Sequence, residues 1–112
     1  MTVFKKIIDK EIPAKIIYED EHCLAFEDIN SQAPVHVLFI PKKEITSLQA
    51  VKAEDKEILG HMMCKVPEIA KKLKVDEGGY RLVTNIATDG GQSVFHLHFH
   101  LLGGRKLLWP PG

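Results

Sequence analysis

His96, His98 and His100 stand at alternate positions in the run FHLHFHLL, with Leu97 and Phe99 between them. Successive side chains of a β-strand point to opposite faces, so this spacing sets three imidazoles on one face and the apolar pair on the other. Rings two residues apart lie about 6.6 to 6.8 Å apart along a strand, close enough to couple their protonation and to reach one ligand. An imidazole of ordinary pKa, near ~6.5, is mostly neutral at neutral pH; one nitrogen then has a lone pair free to attack, while the other donates a hydrogen bond that fixes the tautomer. That suits a nucleophile, with the flanking histidines orienting the ring, passing a proton to a leaving group, or facing a developing anion with positive charge.

The loop before the histidines, GGQSV, supplies complementary groups. Gly90 and Gly91 allow backbone amides to converge, and Gln92 and Ser93 add side-chain donors, a set that suits phosphate oxygens. An ordinary Gly-rich turn has the same residues. There is no Walker-type Gly-rich loop with a Lys, and no carboxylate pair beside the histidines to hold magnesium. One reading is therefore phosphorus chemistry at a histidine, with no metal and no other cofactor. A second is zinc, held by two members of the trio with His36 as a third ligand. A third is purely structural, the reading given to His22 and His61.

The 15 basic and 15 acidic side chains cancel, and no basic run marks a polyanion-binding face, so neither nucleic acid nor an anionic membrane is an expected partner. Cys23 and Cys64 are far apart and form no zinc pair or disulfide framework, which fits a reducing compartment. The stretch MTVFKKIIDK has no apolar signal core, and no apolar run nears the roughly 20 residues of a membrane span. A soluble cytoplasmic protein is expected, with residues 1–112 folding as one domain.

The elements that must position the histidines follow in order. Thr2 caps a short amphipathic helix bearing Phe4, Ile7 and Ile8, ended by Pro13. Segments Lys15 to Tyr18 and His22 to Phe26 read as a hairpin, and a polar connection from Asp28 to Ala33 leads to a strand from Val35 to Ile40. Apolar residues from Ile58 to Leu73 recur at spacings of three and four, predicting one long helix over Ala53 to Leu73, with a kink or break at Pro67. Gly78 and Gly79 turn the chain into a strand from Tyr80 to Asn85; the loop Ile86 to Ser93, the histidine strand and the tail RKLLWPPG complete it. This order gives an α+β domain with a mainly antiparallel sheet, the long helix on one face and the histidines on the opposite, accessible face. An uncovered sheet edge suits a homodimer.

Taken with its flanks, the run HLHFHLL resembles the histidine triad superfamily. GGQSV before it, QAPVHVLFIPKK around His36 and LGGRKLLWPPG at the end are similar to the Hint branch, over Phe4 to Gly112 in order. The resemblance implies a five-stranded sheet with one long and one short helix, paired in a homodimer into a ten-stranded sheet. It implies a purine nucleoside phosphoramidate hydrolase of the adenosine 5'-monophosphoramidase kind, acting through a covalent nucleotidyl-histidine and releasing AMP and an amine. The alternative is a nucleotide-binding scaffold with little turnover. By matching position, His98 is the nucleophile, His96 orients it and fixes its ring through the His96 backbone carbonyl, His100 contacts the phosphate or leaving group and assists proton transfer, and His36 completes the proton-handling set. Ser93, Gln92 and the amide of Gly91 line the phosphate site, and Asn85 lies beside phosphate and ribose. Asp28 takes the ribose diol, while Phe4, Ile7, Ile12, Phe26 and Ile29 form the base pocket. Trp109 reaches toward the neighbouring subunit's site. Ile86, Ala87 and Thr88 depart from the usual polar loop, and Pro67 from the usual uninterrupted helix.

Overall fold

The computed structural model describes Met1–Gly112. Five strands, β1 (Ile16–Glu19), β2 (Cys23–Glu27), β3 (Val35–Pro41), β4 (Tyr80–Val83) and β5 (Phe99–Gly103), form one antiparallel sheet in the order β1-β2-β3-β5-β4. Two helices complete the α+β fold, the short α1 (Val3–Ile8) and the long α2 (Lys56–Lys72), with 3-10 turns at Leu48–Ala50 and Ala53–Asp55 before α2.

Alternation along the strands sorts two apolar layers. Cys23, Ala25, Val37, Phe39, Phe99 and Leu101 face α2 and pack on its buried stripe of Met62, Val66, Ile69 and Ala70. Leu24, Phe26, Leu38 and Ile40 face the other way and meet Phe4 and Ile7 of α1. Each fully buried aliphatic or aromatic side chain contributes about 1.5 to 3 kcal/mol over its exposed state, so both layers hold the central strands in place. Residues of β2 from Cys23 to Phe26 are buried throughout, as expected of a strand covered on both sides.

The cap expected at Thr2 is present, its hydroxyl oxygen accepting from the Lys5 amide at 3.1 Å. α1 ends at Ile8, short of Pro13, because the chain turns through a left-handed Lys10 at φ 62°.

Pro67 does not break the long helix. α2 runs from Lys56 to Lys72 with the proline inside it. Pro67 and Met63 both lie on the exposed side of α2, so water can satisfy the Met63 carbonyl that loses its amide partner, while Met62, Val66, Ile69 and Ala70 anchor the opposite side. Replacement of this proline should restore the missing bond. Pro67→Ala is expected to raise unfolding free energy by about 1 to 3 kcal/mol, read as a higher urea midpoint at unchanged slope.

Candidate active site

The alternating histidines do not all lie on the strand. β5 begins at Phe99, so His100 is in the sheet, whereas His96 and His98 precede it. Pairing of β5 with β3 starts at Phe39 opposite Phe99; two residues further, this register would set Pro41 opposite Leu97, and Pro41 has no amide hydrogen for a ladder. A side chain takes over there, and His96 Nε2 donates to the Pro41 carbonyl oxygen at 2.8 Å. On the same segment the Leu97 amide donates to the Ile45 carbonyl oxygen. The alternation itself survives, since Leu97 and Phe99 sit in the α2-side core.

The sequence predicts an accessible face opposite α2, but α1 roofs it. His96 and His98 are 1% and 3% exposed. The Phe4 ring meets both imidazoles edge-on, at 6.3 Å from His96 and 5.0 Å from His98. His98 Nδ1 lies 2.7 Å from the carbonyl oxygen of His96. A carbonyl accepts only, so Nδ1 carries the hydrogen and the lone pair of the neutral ring is on Nε2. This is the tautomer a nucleophilic histidine requires.

His36 and His100 form a second unit. The Gln32 amide donates to His36 Nδ1 at 3.0 Å, which puts the hydrogen of neutral His36 on Nε2. Nε2 then donates to His100 Nδ1 at 2.8 Å, leaving His100 with its hydrogen on Nε2. The His98 and His100 rings are 5.1 Å apart, so the free nitrogen of one and the donor of the other belong to one site. Asp28 completes the group: Oδ1 accepts from the Asn30 amide, and Oδ2 lies 3.4 Å from His36 Nε2. Burial lowers the pKa of His36 against the opposing pull of Asp28. His100 is pushed down to about 4, first by burial and then by His98 and His36. Burial also lowers His96, opposed by its bond to Pro41.

Beside these rings a cavity of about 220 Å³ is lined by Phe4, Ile7, Ile12, Phe26, Asp28 and Ile29, with Val3, Pro13, Ala14, Glu27 and Leu38. The six residues assigned by resemblance to the ribose diol and the base pocket therefore meet around one mostly apolar hollow, with Asp28 on the side toward His36, whereas Asn85 does not line it. A larger hollow of about 400 Å³ around His22 and His61 has Ile58 as its one apolar wall and otherwise charged or imidazole side chains. The smaller cavity suits an aromatic base better.

The loop residues fall differently. Gly90 and Gly91 are needed for shape: a Cβ at Gly90 would come within 2.3 Å of the Ile86 carbonyl oxygen, and Gly91 has φ 79°. The Gly91 amide donates to the Thr88 carbonyl oxygen, closing the turn. Gln92 is a buried brace; its oxygen accepts from the Ala87 amide, and its nitrogen donates to the Thr46 and Val94 carbonyl oxygens. These donors, which the sequence suggests for phosphate, hold the loop in this structure, whereas Ser93 is exposed and Asn85 half-buried, neither with a side-chain hydrogen bond inside the chain. Trp109 is 80% exposed, with Arg81 5.9 Å from its ring centre, away from the cavity lining. One contact escaped the sequence reading: Thr84 Oγ1 donates to the His98 carbonyl oxygen at 2.8 Å. A hydroxyl residue nearly opposite the middle histidine, once the two last strands are paired, was the available clue.

Two side-chain groups have the spacing of metal ligands, and their hydrogen bonds count against both. In Asp28, His36 and His100, a metal on His36 Nε2 would displace the hydrogen that the Gln32 amide confines to that nitrogen. In Asp20, Cys23 and His61, the carboxylate already accepts from Tyr18, His61, the His22 and Cys23 amides and the Cys23 thiol. Burial pushes that thiol up to about 12, with Asp20 adding to it, away from the thiolate a metal needs. Burial raises the Asp20 carboxyl as well, but the bonds from Tyr18, His61 and its other partners outweigh this and hold it well below the usual range.

The HIT domain model matches residues 9–107. An uncharacterized HIT-like protein of Synechocystis is 55% identical over 111 residues, 99% of this chain and 96% of that protein. A HIT family hydrolase from Legionella pneumophila has a TM-score of 0.97 at 46% identity, covering 100% of both chains. A histidine triad nucleotide-binding protein from Candida albicans has a TM-score of 0.84 at 32% identity, over 98% of this chain and 83% of its own.

The lowered pKa values of His36, His96 and His100 carry a pH dependence of stability. In the unfolded chain these rings take up protons near 6.5, while the folded site resists them until lower pH, about 4 for His100. The unfolded state binds more protons in between, so stability is full above about 6.5 and declines as pH falls through that window. Urea unfolding at about pH 5 should give a lower free energy than at about pH 7, and His100→Asn should shrink the difference.

Proposed function

This chain belongs to the HIT domain family, and from that membership and the geometry of His98 we propose that it is a purine nucleoside phosphoramidate hydrolase. The observation that carries the reading is the bond from His98 Nδ1 to the His96 carbonyl oxygen, which leaves Nε2 free in a buried site beside a purine-sized apolar cavity.

In this reading the base enters the cavity roofed by Phe4 and Ile7, and the Asp28 carboxylate accepts from the ribose diol. His98 Nε2 attacks the α-phosphorus. A phosphorus–nitrogen bond forms to His98 as the bond to the leaving nitrogen breaks, and that nitrogen takes the electron pair and a proton from His100 Nε2. The His36–His100 pair enters this step protonated, its charge balanced by Asp28, and giving up that proton returns both hydrogen-bonded rings to the neutral form. Burial makes His100 a readier acid than an exposed imidazolium, which helps discharge an amine. Water then attacks the phosphorus of the nucleotidyl-His98, gives a proton back to the neutral His36–His100 pair, displaces Nε2 and yields AMP, with the amine as the other product. Ser93 and Asn85, exposed and half-buried, are the residues this reading assigns to the phosphate. The homodimer belongs to the same reading: β1 and β4 are the free edges of the sheet, and joining one edge between two copies gives ten strands.

Steady-state hydrolysis of an adenosine phosphoramidate tests the proposal. Wild type is expected to turn over with or without chelator, and His98→Asn to lose at least about a thousandfold in kcat while still binding AMP. Wild-type rates in that variant would overturn the assigned nucleophile. AMP binding by a wild type inert toward every phosphoramidate would favour the nucleotide-binding scaffold instead.

A further inference from the structure

We propose that Thr84 is a positioning residue for His98, its hydroxyl holding the nucleophile's own carbonyl group where the pairing of β4 with β5 has ended. The inference rests on the reading of His98 as nucleophile. The register of the two strands runs from Tyr80 opposite Gly103 to Val83 opposite His100 and goes no further. His98 lies beyond the last pair, in the segment that precedes β5. There Thr84 Oγ1 donates to the His98 carbonyl oxygen at 2.8 Å, a side-chain bond that takes over on the β4 side.

The tie acts on the ring through the main chain. Fixing the His98 carbonyl fixes the peptide plane between His98 and Phe99, and with it the direction of the His98 Cα–Cβ bond. The opposite side of the segment is held by the Leu97 amide on the Ile45 carbonyl oxygen, and the ring by Nδ1 on the His96 carbonyl oxygen and by the edge of Phe4. Without the hydroxyl, the β4 side loses its hold and a half-buried carbonyl loses a partner. Thr84 also precedes Asn85 and the loop Ile86 to Ser93, so the bond sets the nucleophile and that loop in one register. In-line displacement is sensitive to such placement, since a misplacement of about 1 Å can cost about a hundredfold in rate.

Thr84→Val keeps shape and β-branching but cannot donate; Thr84→Ser keeps the donor; Thr84→Ala is a second variant without it, should valine disturb folding. With an adenosine phosphoramidate, the valine and alanine variants are expected to lose roughly tenfold in kcat with KM and AMP affinity nearly unchanged, and serine to recover most of the rate. Wild-type kcat in the variants lacking the hydroxyl, or a serine variant as slow as valine, overturns the proposal. A wild type without turnover is instead a failure of the hydrolase reading. The positioning role is then judged from imidazole nitrogen chemical shifts, where the Nδ1–H form of His98 seen in wild type and Thr84→Ser should give way to a tautomer mixture in Thr84→Val. Identical spectra in all three overturn it.

Discussion

With Nδ1 of His98 donating to the carbonyl oxygen of His96, the buried ring has one nitrogen committed and one free, and the chemistry open to the site follows from that division. The bond is local, between a side chain and the main chain two residues earlier, yet it forms only because the segment from His96 to His98 is held from several sides. His96 reaches the Pro41 carbonyl, Leu97 reaches Ile45, Thr84 reaches back to His98, and Phe4 closes over the ring. Each contact comes from a different part of the chain. Their common effect is to remove rotamers and tautomers that would turn the free nitrogen away.

The proline at the end of β3 has a constructive part in this arrangement. By interrupting the ladder it frees a carbonyl for His96 and lets the segment before β5 leave the sheet, so that two of the three imidazoles tuck under α1 while the third stays in the strand. The two apolar layers make the departure tolerable. Leu97 and Phe99 remain in the α2-side core, and burying them offsets the backbone pairing lost next to Pro41.

Electrostatics divides the site into two parts with different duties. His98 stands against an aromatic roof, while His36 and His100 share one hydrogen bond near Asp28, where burial disfavours a proton and the carboxylate partly restores its welcome. Asp28 also borders the apolar cavity. One carboxylate therefore lies between the apolar hollow proposed for the nucleoside and the rings proposed to move a proton.

The α+β class, the strands and the two helices were legible because hydrophobic periodicity reports which residues must leave water, and period two differs plainly from period 3.6. The pattern HLHFHLL and its flanks likewise determined the family and the identity of the histidines. The resemblance also implied the His96 carbonyl as the group that fixes the His98 ring, but which nitrogen of His36 and of His100 carries the hydrogen was not legible, since that depends on the Gln32 amide and on the meeting of the two rings, groups brought together only by the fold. The same holds for Gln92, a donor in the sequence whose hydrogen bonds are consumed by its loop, and for Pro67, a helix breaker overruled by packing on the other side of α2. Residue types and their periodicity are properties of the chain, and the sequence determined them; the partner of each polar atom is a property of its surroundings, and only the tertiary structure decided it.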